Sequence, residues 1–253
     1  MSLNLVPLVA GQEFAPGRLD AIVGWLDSAA RDVAPPLQAD RVDVLVVPGT
    51  HLIPDWDCNG YTHGPWRITI TVDPACDGRE KRPLDIQLRT MLAHELHHAM
   101  RERGPGYGST LGEALVTEGL AQCYEQEVGC PTSNYAVTVR GPALAKLARM
   151  AKYELWSEAY DHDKWFFGDK TDAKFPWSGG YGLGYVLTDH WLRRAGLSAS
   201  AAVAVTAREV LPAAFDLAAT ELNETRSALE REAREGHQPV GARSILRRLL
   251  RWR

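Results

Sequence analysis

Five consecutive residues, His94-Glu95-Leu96-His97-His98, carry the clearest chemical signal in the chain. On a helix, residues four apart lie one above the other, so the rings of His94 and His98 converge on one point. Neutral imidazole suits zinc, which at catalytic sites takes three protein ligands and keeps a fourth position for water. Glu95, beside the first histidine, is placed to accept a proton from that water rather than to bind metal. A third ligand has to come from elsewhere. Glu118 lies twenty residues beyond His98, enough for a chain reversal and a return to the metal. Glu113 competes, but it stands near a helix start, where an acidic residue complements the dipole; spacing favours Glu118.

Taken together these residues resemble the thermolysin-type gluzincin metallopeptidases, in which two histidines and a glutamate bind zinc. HELHHAMR, the later L-x-E-A-L-V-T-E-G-L-A and Gly180-Tyr181-Gly182-Leu183-Gly184-Tyr185 resemble more closely a family of predicted zinc-dependent proteases catalogued as a domain of unknown function, over about residues 60 to 195. The resemblance implies one zinc per chain held by His94, His98 and Glu118, hydrolysis of a peptide bond in a peptide or protein substrate, and Glu95 as the base that takes and returns the proton. It also implies a protein donor to the developing oxyanion. Tyr181 is the choice, because it precedes the expected helix and can project into a cleft; Tyr185 sits a turn inside, and His162 is the loop alternative. One departure concerns the aspartate that such enzymes carry one turn past the glutamate ligand to orient a histidine. Gln122 stands at that spacing here.

Several elements must position these groups. Leu84, Leu88, Met91, Leu92, Leu96 and Ala99 form an apolar stripe behind the histidines, and Gly104-Pro105-Gly106 ends that helix. Ser109 or Thr110 caps the next one, with Leu111, Leu115, Val116 and Leu120 facing inward. Upstream, Arg18 to Val33 reads as an amphipathic helix, and Val42 to Val47 as a strand. The segment holding His51, Trp56, Cys58 and His63 reads as a turn-rich loop. Trp66 to Val72 alternates cleanly, with Trp66, Ile68, Ile70 and Val72 on one face, and is either the cleft-edging strand that pairs with substrate or an ordinary covered strand. Downstream, Ala143 to Tyr160, the stretch entered at Trp177 to Tyr185, Ala199 to Val210 and Phe215 to Arg234 read as helical. Arg101, one turn past His98, is expected to pair with an acidic neighbour.

At 45% hydrophobic the 253 residues can bury a full core. The expected organisation is one zincin-like domain over 1–240, of α+β class with a small sheet against a mostly helical remainder, and a basic tail over 241–253. That tail is amphipathic and suits either an acidic membrane surface or a partner groove, or simply solvent. A net charge of −4 gives no reason to expect nucleic acid. No stretch reaches membrane-spanning length and none reads as a signal peptide, so the expected compartment is the cytoplasm. Cys58, Cys76, Cys123 and Cys130 match no zinc-binding spacing; a Cys58–Cys76 pair is left open. The competing reading is a zinc-stabilised peptide-binding or regulatory protein without turnover, whose closed site would need a fourth ligand such as His97.

Overall fold

Two β-rich segments bracket the first helix, and their pairing sets the frame for everything after it. The computed structural model describes residues 3–76, 82–137, 139–172, 174–212 and 215. β1 (Asn4–Pro7) leads into α1 (Arg18–Val33), which crosses over to β2 (Asp43–Pro48). β3 (Cys58–Gly64) and β4 (Arg67–Val72) follow as a hairpin. The sheet order is β1-β2-β4-β3, with β1, β2 and β4 parallel and β3 antiparallel to β4. The parallel pairs need crossovers, and α1 supplies the first. The class is α+β, as the sequence predicts.

Alternation along β4 buries Ile68, Ile70 and Val72 completely. Trp66, expected on that same face, is half-exposed at the strand's mouth between the guanidinium groups of Arg41 and Arg103. β4 is internal, and the sheet's edges are β1 and β3, the latter the segment expected to be a loop. β4 lies between β2 and β3, so its own hydrogen-bonding edges are both taken.

α2 (Leu84–Arg101) packs against β3, β4 and α1, and the whole expected apolar stripe is buried. Fully burying a leucine contributes about 1.5–3 kcal/mol, so Leu88, Leu92 and Leu96 fix which face of α2 turns inward. α3 (Leu111–Glu127) runs back along it, started by a capping box between Thr110 and Glu113. A short 3-10 turn (Asn134–Val137), α4 (Gly141–Glu154), a π-helical turn (Asp163–Phe167) and α5 (Gly179–Ala195) complete the described architecture.

α3 and α5 cross closely at Gly119 and Gly184. A Cβ at Gly119 would strike the Gly184 carbonyl, and one at Gly184 would strike the Leu115 carbonyl. Glycine is thus required at this crossing, which lies beside Glu118.

The stretch from Ala199 is not the expected helix until residue 207; before that it is a run of turns. Side chains of α2 take its carbonyls: His97 Nε2 reaches Ala199 O at 3.4 Å, and Arg101 Nη1 donates to Val203 O and Val205 O at 3.0 and 2.8 Å. Arg101 also donates from Nε to the Thr117 hydroxyl. Its direct partners are therefore a hydroxyl and two carbonyls rather than the expected carboxylate. Residue contacts divide the chain into Met1–Ala214 and Phe215–Arg253. The expected boundary at 240, the helix beyond Phe215 and the basic tail lie outside the described residues. No helix among the described residues is long and apolar enough to cross a membrane. All four cysteines are free thiols.

Candidate metal centre

α2 brings His94 and His98 to one point because the buried leucine stripe turns that face of the helix toward α3. Their Nε2 atoms lie 3.0 Å apart with the rings at 89°. Glu118, on the facing side of α3, puts Oε2 3.2 Å from His94 Nε2 and Oε1 3.5 Å from His98 Nε2. All three side chains are at most 8% exposed. A tetrahedral ion with ligand bonds of about 2.0–2.1 Å spaces its ligands about 3.3 Å apart, close to the separations seen. Glu118 Oε2 is buried and has no hydrogen-bond partner among the described residues. A buried carboxylate oxygen without a hydrogen-bond donor, 3.2 Å from the His94 ring nitrogen, is costly without a cation between them. The donor set fits zinc. It is the one His/Cys/Asp/Glu group among the described residues whose ligand atoms gather this tightly.

The metal-facing atoms are held from behind. His94 Nδ1 donates to Glu125 Oε1 at 2.7 Å, which in the neutral ring leaves the Nε2 lone pair for a metal. Glu125 in turn accepts from the Ser133 and Tyr135 hydroxyls. Glu118 Oε1 accepts from the Tyr107 phenol at 2.9 Å. Burial disfavours charge on both His94 and Glu118. The carboxylates of Glu118 and Glu125 beside it nonetheless hold the His94 ring well above its ordinary pKa, and the two histidines hold Glu118 well below the usual carboxylate range.

Glu125 takes the orienting task for which the sequence showed only Gln122. It sits seven residues past Glu118, two turns rather than one along the same face of α3. Gln122 instead donates to the Tyr181 carbonyl at 3.3 Å. The i+7 spacing, which returns a side chain to the same helix face, is a signal the sequence itself carries. Tyr107, in the turn between the two helices, carried no periodic signal at all.

Glu113 stays at the head of α3, its carboxylate taken by Ser109 and Thr110. His97 faces the other way, fully buried beside Tyr124 and reaching Ala199. Burial, then the charges of His98 and Arg101, push its pKa well below the ordinary value. It is not available as a fourth ligand.

Above the centre opens a cleft of about 1190 Å³. β3 forms one wall, with Gly60, Tyr61, Thr62 and His63 lining it; Phe167, Trp177 and Tyr181 line the other. Glu95 reaches the cleft from α2 and accepts from the Thr62 hydroxyl at 2.8 Å. Tyr181 stands in the first turn of α5 rather than ahead of it, packed against Tyr135, Phe166 and Phe167. Burial, then the charges of Glu118 and Glu95, push its phenol pKa well up, so it keeps its proton. Three neighbouring tyrosines have committed hydroxyls: Tyr107 to Glu118, Tyr135 to Glu125 and Tyr185 to Gln126. No such partner holds the Tyr181 hydroxyl among the described residues. His162 also lines the cleft, stacked on Phe166 and bonded through Nδ1 to Tyr160.

The family model described as Predicted Zn-dependent protease (DUF2268) matches residues 42–212. That span takes in β2 through the turns after α5, wider at both ends than the similarity read from the motifs. No curated protein and no solved structure matches the chain.

Proposed function

The chain belongs to the DUF2268 family of predicted Zn-dependent proteases, and we propose that it hydrolyses peptide bonds with one zinc ion held by His94, His98 and Glu118. The observation that carries the reading is the three-ligand cluster at the floor of an open cleft, with no fourth protein ligand among the described residues. Structural zinc sites close the fourth position, whereas catalytic ones leave it to water or substrate. Zinc, when bound, supplies a Lewis acid and a water acidified to a pKa of about 7.

The protein's own groups do the rest. Glu95 accepts a proton on Oε1 and delivers it to the leaving amine. Tyr181 donates from its phenol to the carbonyl oxygen as negative charge develops there. Among the described residues, β3 has one hydrogen-bonding edge with no neighbouring strand. An extended peptide can add to that edge through its backbone, which draws its carbonyls along the cleft above the ligands. Apolar side chains of the substrate then meet Leu52, Ile53, Phe167 and Trp177.

Zinc analysis of the purified protein, with a broad peptide-library digest of wild type and Glu95→Gln, tests this. The expected result is zinc retained in both and hydrolysis lower by about 10²–10⁴ in Glu95→Gln, the usual contribution of a positioned acid–base group. A zinc-loaded Glu95→Gln protein that cuts as fast as wild type would sink the mechanism.

A further inference from the structure

We propose that Thr62 on the edge strand is a positioning residue for Glu95, and that Gly60 two residues before it supplies the space the base occupies. The inference rests on the peptide-hydrolysis reading and adds to it: the strand open to substrate also fixes the proton acceptor.

Alternation along β3 puts Cys58, Gly60 and Thr62 on the face toward α2, while Tyr61 on the opposite face is 64% exposed. Thr62 Oγ1 lies 2.8 Å from Glu95 Oε2 and 2.9 Å from the Glu95 carbonyl. Its single proton is shared between two acceptors of one residue, a three-centre bond that ties the carboxylate end of Glu95 to its own backbone. Threonine suits the post, since two heavy substituents on Cβ stiffen χ1 and aim the hydroxyl. At Gly60 an added Cβ would come within 2.5 Å of Glu95 Cγ and 2.7 Å of Oε1. The Glu95 side chain therefore lies flat on the strand backbone, with Oε2 held and Oε1 left to take the proton. Thr62 donates to Oε2 before and after that transfer and exchanges no proton itself.

This arrangement separates Thr62 from the residues that hold metal. Both its side-chain hydrogen bonds among the described residues go to Glu95 and neither to a histidine ligand or Glu118, so its loss should leave zinc in place and misdirect the base. Val is the matched probe, with the shape of Thr and no hydroxyl. Ser keeps the hydroxyl and gives up the methyl.

The test uses the full-length zinc-loaded protein. Thr62→Val is expected to lower kcat about ten- to a hundredfold, part of what a positioned base contributes, with KM and zinc content within twofold of wild type. Thr62→Ser should recover most of that loss, and Gly60→Ala should reproduce it with Thr62 intact. Binding of acetohydroxamate, titrated by the change in tryptophan fluorescence, gives a readout independent of turnover. A hydroxamate chelates zinc and gives a proton to an adjacent base, so Thr62→Val should weaken it about tenfold with zinc affinity unchanged. If wild type cuts no peptide in the library, the peptide-hydrolysis reading fails and the hydroxamate titration alone decides the role of Thr62. Equal acetohydroxamate affinity in wild type and Thr62→Val overturns the proposal, as does a Thr62→Val protein with kcat within twofold of wild type. If Thr62→Val does not fold, Thr62→Ser and Gly60→Ala carry the comparison, and wild-type kcat in Gly60→Ala overturns it.

Discussion

On the floor of the cleft, α2 and α3 hold His94, His98 and Glu118 at no more than 8% exposure, and Glu125 and Tyr107 grip two of the three from behind. On the walls, β3 and the π-helical turn present Tyr61 at 64% and Phe167 at 52% exposure, and the hydroxyl of Thr62 ties β3 to Glu95 on α2. The floor is assembled by the core itself. The leucine stripe and the Gly119–Gly184 crossing set the helix faces, and those faces set the ligands. The walls are more exposed, as surface segments generally are. Damage to the floor should therefore show first as lost metal, and damage to the walls as lost rate with metal retained.

The largest effect should come from a ligand. Glu118→Ala is expected to lower zinc affinity by more than the ~10–100-fold typical of losing an outer partner. Glu113→Ala should leave zinc affinity within twofold while costing about 1 kcal/mol in stability, because it removes half of the capping box. Equilibrium dialysis and thermal melting of the two variants read both numbers. Zinc lost on Glu113→Ala alone would mean that α3 faces the metal with a different register.

A smaller loss, of rate alone, is expected on the wall. Tyr181→Phe should lower kcat by about 10²–10³, the usual cost of one oxyanion donor, with zinc content unchanged. Tyr185→Phe should leave kcat within twofold, since that hydroxyl is bound to Gln126. Steady-state kinetics on the same peptide compare them. A null result at Tyr181 with activity abolished in His162→Ala would move the donor across the cleft to the histidine stacked on Phe166.

Floor and walls also differed in how far they could be read from sequence. The apolar stripe of α2, the cap at Thr110 and the pairing of two histidines with Glu118 follow from helical period and spacing, which are local properties. β3 is illegible in the sequence because Cys58-Asn59-Gly60-Tyr61-Thr62-His63-Gly64 has two glycines, an asparagine and one β-branched residue. Its strand character comes from pairing with β4, a non-local cause. The alanines after Ala199 favour a helix, yet His97 and Arg101 claim carbonyls that a helix would use. The reason for glycine at 184, its contact with α3 at Leu115 and Gly119, is visible only in three dimensions.

The finest test of the division falls on the two side chains that hold ligands without touching metal. Glu125 accepts the His94 Nδ1 proton and two hydroxyl protons from Ser133 and Tyr135, so all its buried partners are donors. Glu125→Gln keeps the volume but turns one oxygen into an NH₂ group, which must then face a donor. Either His94 loses its acceptor or a hydroxyl has to turn away. Tyr107→Phe removes a single bond to Glu118 Oε1 and leaves that oxygen its contact with His98. Both should weaken zinc by about 10–100-fold, with Glu125→Gln the larger of the two. A competition titration against a chromophoric chelator ranks them, and kcat measured at saturating zinc should stay close to wild type in each. If zinc affinity is unchanged and kcat falls instead, Glu125 acts on the reaction rather than on the metal, and the line between floor and wall has been drawn in the wrong place.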